Sequence, residues 1–225
     1  MAFVRSSQLI RIQPGSIARN SAGRGGFRSR LPNGLRSLAL VAGLTGIVLT
    51  LSACGGSTLE TYNINAPREG ISARAGQQIV VVPPSATAPF DGDRLVVRTQ
   101  NGSFAYVKGS QWVDALPRLM QARLIQTFDN TRALNSVGRP GDSLVAALAL
   151  NTEIRRFEID VASGEAVVEI AAKLVASLNG RIVAARIFSA RMPGSVSDGA
   201  KASAALDQAA QSVLRAIVNW AGGAR

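Results

Sequence analysis

The sequence predicts an α+β fold, a two-layer sandwich with two helices covering one face of a mostly antiparallel sheet. Three observations carry that expectation. Apolar residues alternate with polar ones over two long stretches, 144–161 and 166–178. Asn-Gly pairs at 101–102 and 179–180 each stand between β-prone runs. Two other stretches, 110–130 and 197–221, repeat apolar residues at steps of three and four. Period two marks strands with one buried face, and period 3.6 marks helices with one buried stripe. Two helical stripes on one sheet face is the economical way to bury both sets.

The elements follow in order. Ile79-Val80-Val81-Val82 is β-branched throughout and is stopped by Pro83-Pro84, so it reads as a short strand buried on both faces. Arg94–Thr99 and Ser103–Val107 flank Asn101-Gly102, and a hairpin is expected in which both turn residues take positive φ. In 110–130, Trp112, Leu116, Leu119, Met120, Leu124 and Phe128 fall near one face. Arg118, Gln121, Arg123 and Gln126 fall away from it. Pro117 has no N–H to donate and belongs in a first turn. A turn at Trp112 and a helix from about 115, with Asp114 as N-cap, accommodate it.

Leu144–Val161 is apolar at Leu148, Leu150 and Ile154 and then at Phe157, Ile159 and Val161. The phase flips at Arg155-Arg156, and a β-bulge restores the facing. In Ala166–Leu178, Val168, Ile170, Ala172, Leu174 and Leu178 are expected in the core. Glu165, Glu169, Lys173 and Ser177 are expected in water. Asn179-Gly180 turns the chain into Ile182–Arg191, and Pro193-Gly194 ends the sheet. A helix from near Ser197, with Asp198 in its first turn, presents Ala202, Leu206, Ala209, Val213, Ile217 and Trp220 until Gly222-Gly223.

The net charge of +11 is unevenly placed. Residues 1–53 hold seven of the 25 basic residues and no acid; the other 18 face all 14 acids, leaving +4 for 54–225. No basic stripe interleaved with aromatics appears in that part, so a nucleic-acid partner is not expected. The chain has no histidine, which removes the commonest general base and metal ligand. Its one cysteine excludes an intrachain disulfide and a Cys-rich zinc site. With no nucleophile motif either, no catalytic residue and no metal site are proposed.

Residues 38–53 are uncharged, follow Arg36, and end in small residues, the make-up of a secretory signal. They fall short of the roughly 20 apolar residues of a membrane-spanning helix. Leu51-Ser52-Ala53-Cys54 resembles the bacterial lipobox. That resemblance implies peptidase recognition of Leu51, Ser52 and Ala53 and cleavage before Cys54. It also implies diacylglycerol on the Cys54 thiol and an acyl chain on its amine; no other cofactor is expected. Each buried methylene contributes about 0.8 kcal/mol, so several chains make a lasting anchor. The expected organisation is a signal peptide at 1–53 with a long Arg-rich start, a lipidated tether at 54–58 and a folded domain at 59–225. Gly55 is not the aspartate that retains enteric lipoproteins in the inner membrane, which favours the outer membrane.

Beyond Cys54, an ordered set of motifs resembles the ABC-type transport auxiliary lipoproteins. The set comprises Tyr62, Ile79-Val80-Val81-Val82-Pro83, Tyr106 ahead of Trp112, Val113-Asp114-Ala115-Leu116-Pro117-Arg118-Leu119, Glu153-Ile154-Arg155-Arg156-Phe157-Glu158 and the closing helix to Trp220. The resemblance implies a domain similar to the N-terminal domain of TolB. It implies a non-enzymatic role beside an ABC permease, its ATPase and an MCE-domain periplasmic protein in the transport of lipids or hydrophobic compounds. The alternative function is a periplasmic lipid- or ligand-binding lipoprotein acting on its own. Trp112 and Trp220 are expected as structural anchors. Arg155, Arg156 and Glu158, at the predicted bulge, are the candidate surface for a partner or for a second copy of the chain.

Overall fold

In chain order the elements are β1 (Glu60–Tyr62), β2 (Ile79–Val81), β3 (Ser85–Ala86), β4 (Arg94–Arg98), β5 (Phe104–Trp112), α1 (Leu116–Asp129), β6 (Val137–Gly138), β7 (Leu148–Asp160), β8 (Glu165–Ala176), β9 (Ile182–Pro193) and α2 (Gly199–Gly222). The computed structural model describes residues 59–70, 78–131 and 137–223. The leader, Leu51, Ser52, Ala53, Cys54 and the tether to residue 58 lie outside the described residues.

The long β7 is the axis of a nine-stranded sheet. Along one edge it pairs antiparallel with β8, and β8 pairs antiparallel with β9. The other edge is shared, in parallel, by β2 at Leu148–Leu150, β3 at Glu153–Ile154 and β4 at Glu158–Asp160. β4 pairs antiparallel with β5, while β1 adds to β5 and β6 to β2, both in parallel. The antiparallel ladders are the long ones, and the parallel pairings are only two or three residues each. β1, β3 and β6 have no counterpart in the predicted set, because strands of two or three residues are too short to show a period.

Both helices pack on one face. α1 buries Leu116, Leu119, Met120, Leu124 and Phe128, and α2 buries Ala202, Leu206, Ala209, Val213 and Ile217. They meet the inward residues of β7 and β8, among them Leu150, Ile154, Phe157, Ile170 and Leu174. Fully burying one such side chain contributes about 1.5–3 kcal/mol. Gln121, expected in water, is buried and donates to the Val81 carbonyl at 2.9 Å. That bond ties α1 to β2 and satisfies an acceptor that would otherwise be costly to bury.

The helix starts differ in detail from the expectation. Ala115 rather than Asp114 is the N-cap of α1, with Pro117 in the first turn. Asp114 accepts the Ala115 N–H at 2.7 Å and pairs with Arg118 across one turn. In α2, Asp198 is itself the N-cap, accepting the Ala200 N–H at 2.8 Å. Trp112 ends β5 rather than opening a helical turn. Gly109, at φ 69, carries the irregularity that lets β5 run on past Val107 and pair with β1. There the Trp112 ring meets Phe157 edge-on at 5.8 Å between centroids, fully inside the core. Trp220 is half-buried and stacks edge-on against Phe188 of β9 at 5.4 Å.

The hairpin turns are also corrected. At 99–103 the Gly102 N–H bonds the Thr99 carbonyl at 2.9 Å, and Gly102 alone takes positive φ. Asn101 instead uses its side-chain oxygen to accept from the Ser103 N–H at 3.2 Å. β7 begins at Leu148, four residues later than expected, and β8 stops at Ala176. Leu178 therefore lies in the turn and is 97% exposed, not in the core. The bulge is where the phase flip placed it: the β7–β8 register shifts between Ile154 and Arg156.

Candidate functional site

The sheet face away from the helices was expected to be wet, but its centre is closed. Val96 and Val167 on that face are buried, and so is Glu158, at 0% exposure. Their register explains why: Val96 and Val167 flank Glu158 on the two neighbouring strands.

Arg156 organises this centre. Its Nε donates to Glu158 Oε1 at 2.7 Å, and its terminal nitrogen donates to Asp160 Oδ2 at 2.9 Å. Arg98 stands 3.9 Å from the same Glu158 oxygen. Among the described residues, Glu158 Oε2 is buried without a hydrogen-bond partner, as is Arg94 Nε. Burial alone pushes the Asp160 carboxyl up. Hydrogen bonds from Arg156 and from the backbone N–H groups of Ser163 and Ala162 outweigh it, and the carboxyl is held below the ordinary value. The same pairing works on Arg156: burial disfavours its charge, but bonds to Glu158 and Asp160 raise its pKa above the ordinary value.

The bulge thus separates two neighbouring arginines. Arg155, unpaired in the ladder, stays in solvent and meets Glu153 at 3.5 Å. Arg156 turns inward to the acids. Of the three residues proposed from sequence as a partner surface, Arg155 is exposed, Arg156 is 22% exposed and Glu158 is wholly inside. Glu158 is therefore a buried ion-pair member rather than a surface contact, because the flanking strands cover it.

The residues that do reach solvent here were not singled out from sequence. Phe104 is 49% exposed and Tyr106 50%. Arg98 lies over the Phe104 ring at 5.9 Å and Arg94 over the Tyr106 ring at 5.5 Å. Phe90 supports Phe104 from below, edge-on at 5.8 Å. The sequence did carry a signal: Phe104 and Tyr106 alternate in β5, and Arg94 and Arg98 share the facing of β4. Aromatic rings capped by arginine are the residue types that concentrate binding energy at protein interfaces. Among the described residues no group of three metal-ligating side chains gathers, and no helix is long and apolar enough to cross a membrane.

Residues 62–218 match the model of a family described as the ABC-type transport auxiliary lipoprotein component. A protein of Bradyrhizobium diazoefficiens is 31% identical over 166 residues, covering 71% of this chain and 44% of that protein. The chain thus spans less than half the length of this curated relative. The crystal structure of a Xanthomonas campestris protein superposes with a TM-score of 0.64 at 27% identity, over 73% of this chain and 95% of that one. A second crystal structure shares the fold at 14% identity, with a TM-score of 0.59 over 73% and 99% of the two chains.

Proposed function

The chain belongs to the family of ABC-type transport auxiliary lipoprotein components, and from that premise we propose that it is a membrane-tethered, non-enzymatic subunit of an ABC transporter for lipids or hydrophobic compounds. Its cargo machinery is a permease, an ATPase and an MCE-domain periplasmic protein. Lipid on Cys54 holds the domain to the periplasmic face of the outer membrane. The domain engages its partner through the Arg-capped aromatic patch of Phe104, Tyr106, Arg94 and Arg98, with Arg155 beside it. A second copy of the chain is the other occupant this patch could serve.

The observation that carries the reading is the family match over 62–218. The exposed aromatic patch supports docking, since nothing in the described residues covers it while the opposite sheet face is spent on the helices. The test uses cells grown with labelled palmitate, comparing wild type with Cys54→Ser. Label on wild type alone, with the permease, ATPase and MCE protein co-purifying, is the expected result. Equal labelling of both proteins removes the tether, and a labelled wild type that brings down no transporter subunit removes the partner assignment.

A further inference from the structure

We propose that the cleft between the segment after β1 and helix α1 binds a phosphate group. The cleft, about 340 Å³, is lined by Asn63, Asn65, Arg68, Arg123 and Gln126 among others. Two guanidinium groups and three carboxamides meet there without an acid in the lining. The fork geometry of arginine matches phosphate oxygens, and carboxamide N–H groups add neutral donors.

Among the described residues, neither positive charge in this cleft has an ion-pair partner. Every Asp and Glu of the chain lies among the described residues. None of their carboxylate oxygens comes within 4.0 Å of a guanidinium nitrogen of Arg68 or Arg123. Arg68 is exposed and makes no hydrogen bond or ion pair among the described residues. Arg123 is aimed by neutral groups only: it donates to Gln126 Oε1 and to Asn63 Oδ1, each at 2.8 Å. Its Nε is buried with no partner. Arg156, half-buried like Arg123, has two carboxylates to meet; Arg123 faces the cleft instead.

The walls are held in place before any ligand arrives. Ile64 is fully buried, and Asn130 donates to the Pro67 carbonyl at 2.9 Å, pinning the segment to the end of α1. Asp207 of α2 touches the cleft through Asn65. Its two oxygens accept from the Asn65 N–H at 2.7 Å, from Asn65 Nδ2 at 2.9 Å and from Gln211 at 3.0 Å. Its charge is thus committed to fixing Asn65. A preformed site loses little ordering entropy on binding.

The phosphate has two possible sources, a lipid headgroup or free phosphate. The headgroup source rests on the membrane-tether reading; the site itself does not. The full chain in non-ionic detergent is titrated calorimetrically with inorganic phosphate and with dihexanoyl phosphatidic acid, and dihexanoylglycerol serves as the phosphate-free control. Saturable binding of a phosphate-bearing probe is expected, weakened at least about tenfold by Arg68→Gln and by Arg123→Gln. Arg181→Gln, exposed before β9 and outside the cleft, should bind as wild type does. Tighter binding of phosphatidic acid assigns the headgroup, and equal or tighter inorganic phosphate assigns the free ion. The proposal is overturned if neither phosphate probe saturates, if dihexanoylglycerol binds as well, or if Arg68→Gln is without effect. Arg68 holds nothing in the fold, so its variant stays informative even where loss of Arg123 lowers the melting temperature.

Discussion

Replacing Arg156 with alanine tests the closed centre of the outer sheet face. The Glu158 carboxylate is completely buried, and Arg156 supplies its only close donors, at 2.7 Å. Removing one member of a buried pair strands the other charge and costs about 3–5 kcal/mol. Arg98, 3.9 Å away and half-exposed, can move closer and screen part of that, which argues for the lower end, about 3 kcal/mol. For a domain of this size such a loss lowers the melting temperature by roughly 6–12 °C. A purely surface pair would cost under about 1 kcal/mol, and Arg155→Ala should fall in that range. The assay is urea unfolding of the chain from Ser57, followed by the fluorescence of Trp112 and Trp220. Glu158→Gln in the Arg156→Ala background should recover most of the loss, because the stranded charge is then gone, and the double-mutant cycle isolates the coupling. If Arg156→Ala and Arg155→Ala unfold at the same urea concentration, the buried-pair account is wrong.

Two further outcomes follow. The Asp160 carboxyl is held below its ordinary value, so its contribution is fully present above the unfolded value of about 3.9 and is lost as pH falls through the folded one. The stability gap between wild type and Asp160→Asn should therefore be flat at neutral pH and narrow below about pH 4; a gap unchanged by acid contradicts the assigned pairing. Trp112→Ala should cost about 3–5 kcal/mol, since its ring is buried against Phe157; an unaltered melting temperature would place that ring at the surface.

What the sequence made legible follows the length of each element. β7, β8 and both helices are long enough for their period to declare them, β9 follows from the turn at Asn179-Gly180, and even the bulge is visible as a phase flip between Ile154 and Phe157. β1, β3 and β6 are not, because two or three residues have no period and their partners are remote in sequence. Gln121 was misplaced because a helical wheel sorts residues by polarity and cannot see the Val81 carbonyl waiting for a donor. Glu158 was misplaced for the same kind of reason. Alternation assigns it to the outward face correctly, but whether that face is wet depends on Val96 and Val167 beside it. The hairpin register that pairs Phe104 with Arg98 is local, but that Arg94, beyond the register shift, still reaches the Tyr106 ring is not visible in a period.

The buried carboxylate gains a purpose once the patch is considered with it. An ion pair in this position is a poor source of net stability, since apolar residues of the same volume often serve as well or better. What Glu158 does provide is position. Its Oε1 is shared between Arg156 and Arg98, and Arg98 lies over the exposed Phe104 ring. A long arginine side chain on an open sheet face would otherwise sample many rotamers, each of which must be given up on binding at about 0.5–1.5 kcal/mol per immobilised side chain. The buried Glu158 charge biases the Arg98 guanidinium toward its place over Phe104, and Phe90 braces that ring, so part of that ordering precedes a partner's arrival. On the proposed function, the charge inside the sheet and the aromatic surface above it are two parts of one docking device, the first setting the geometry that the second offers.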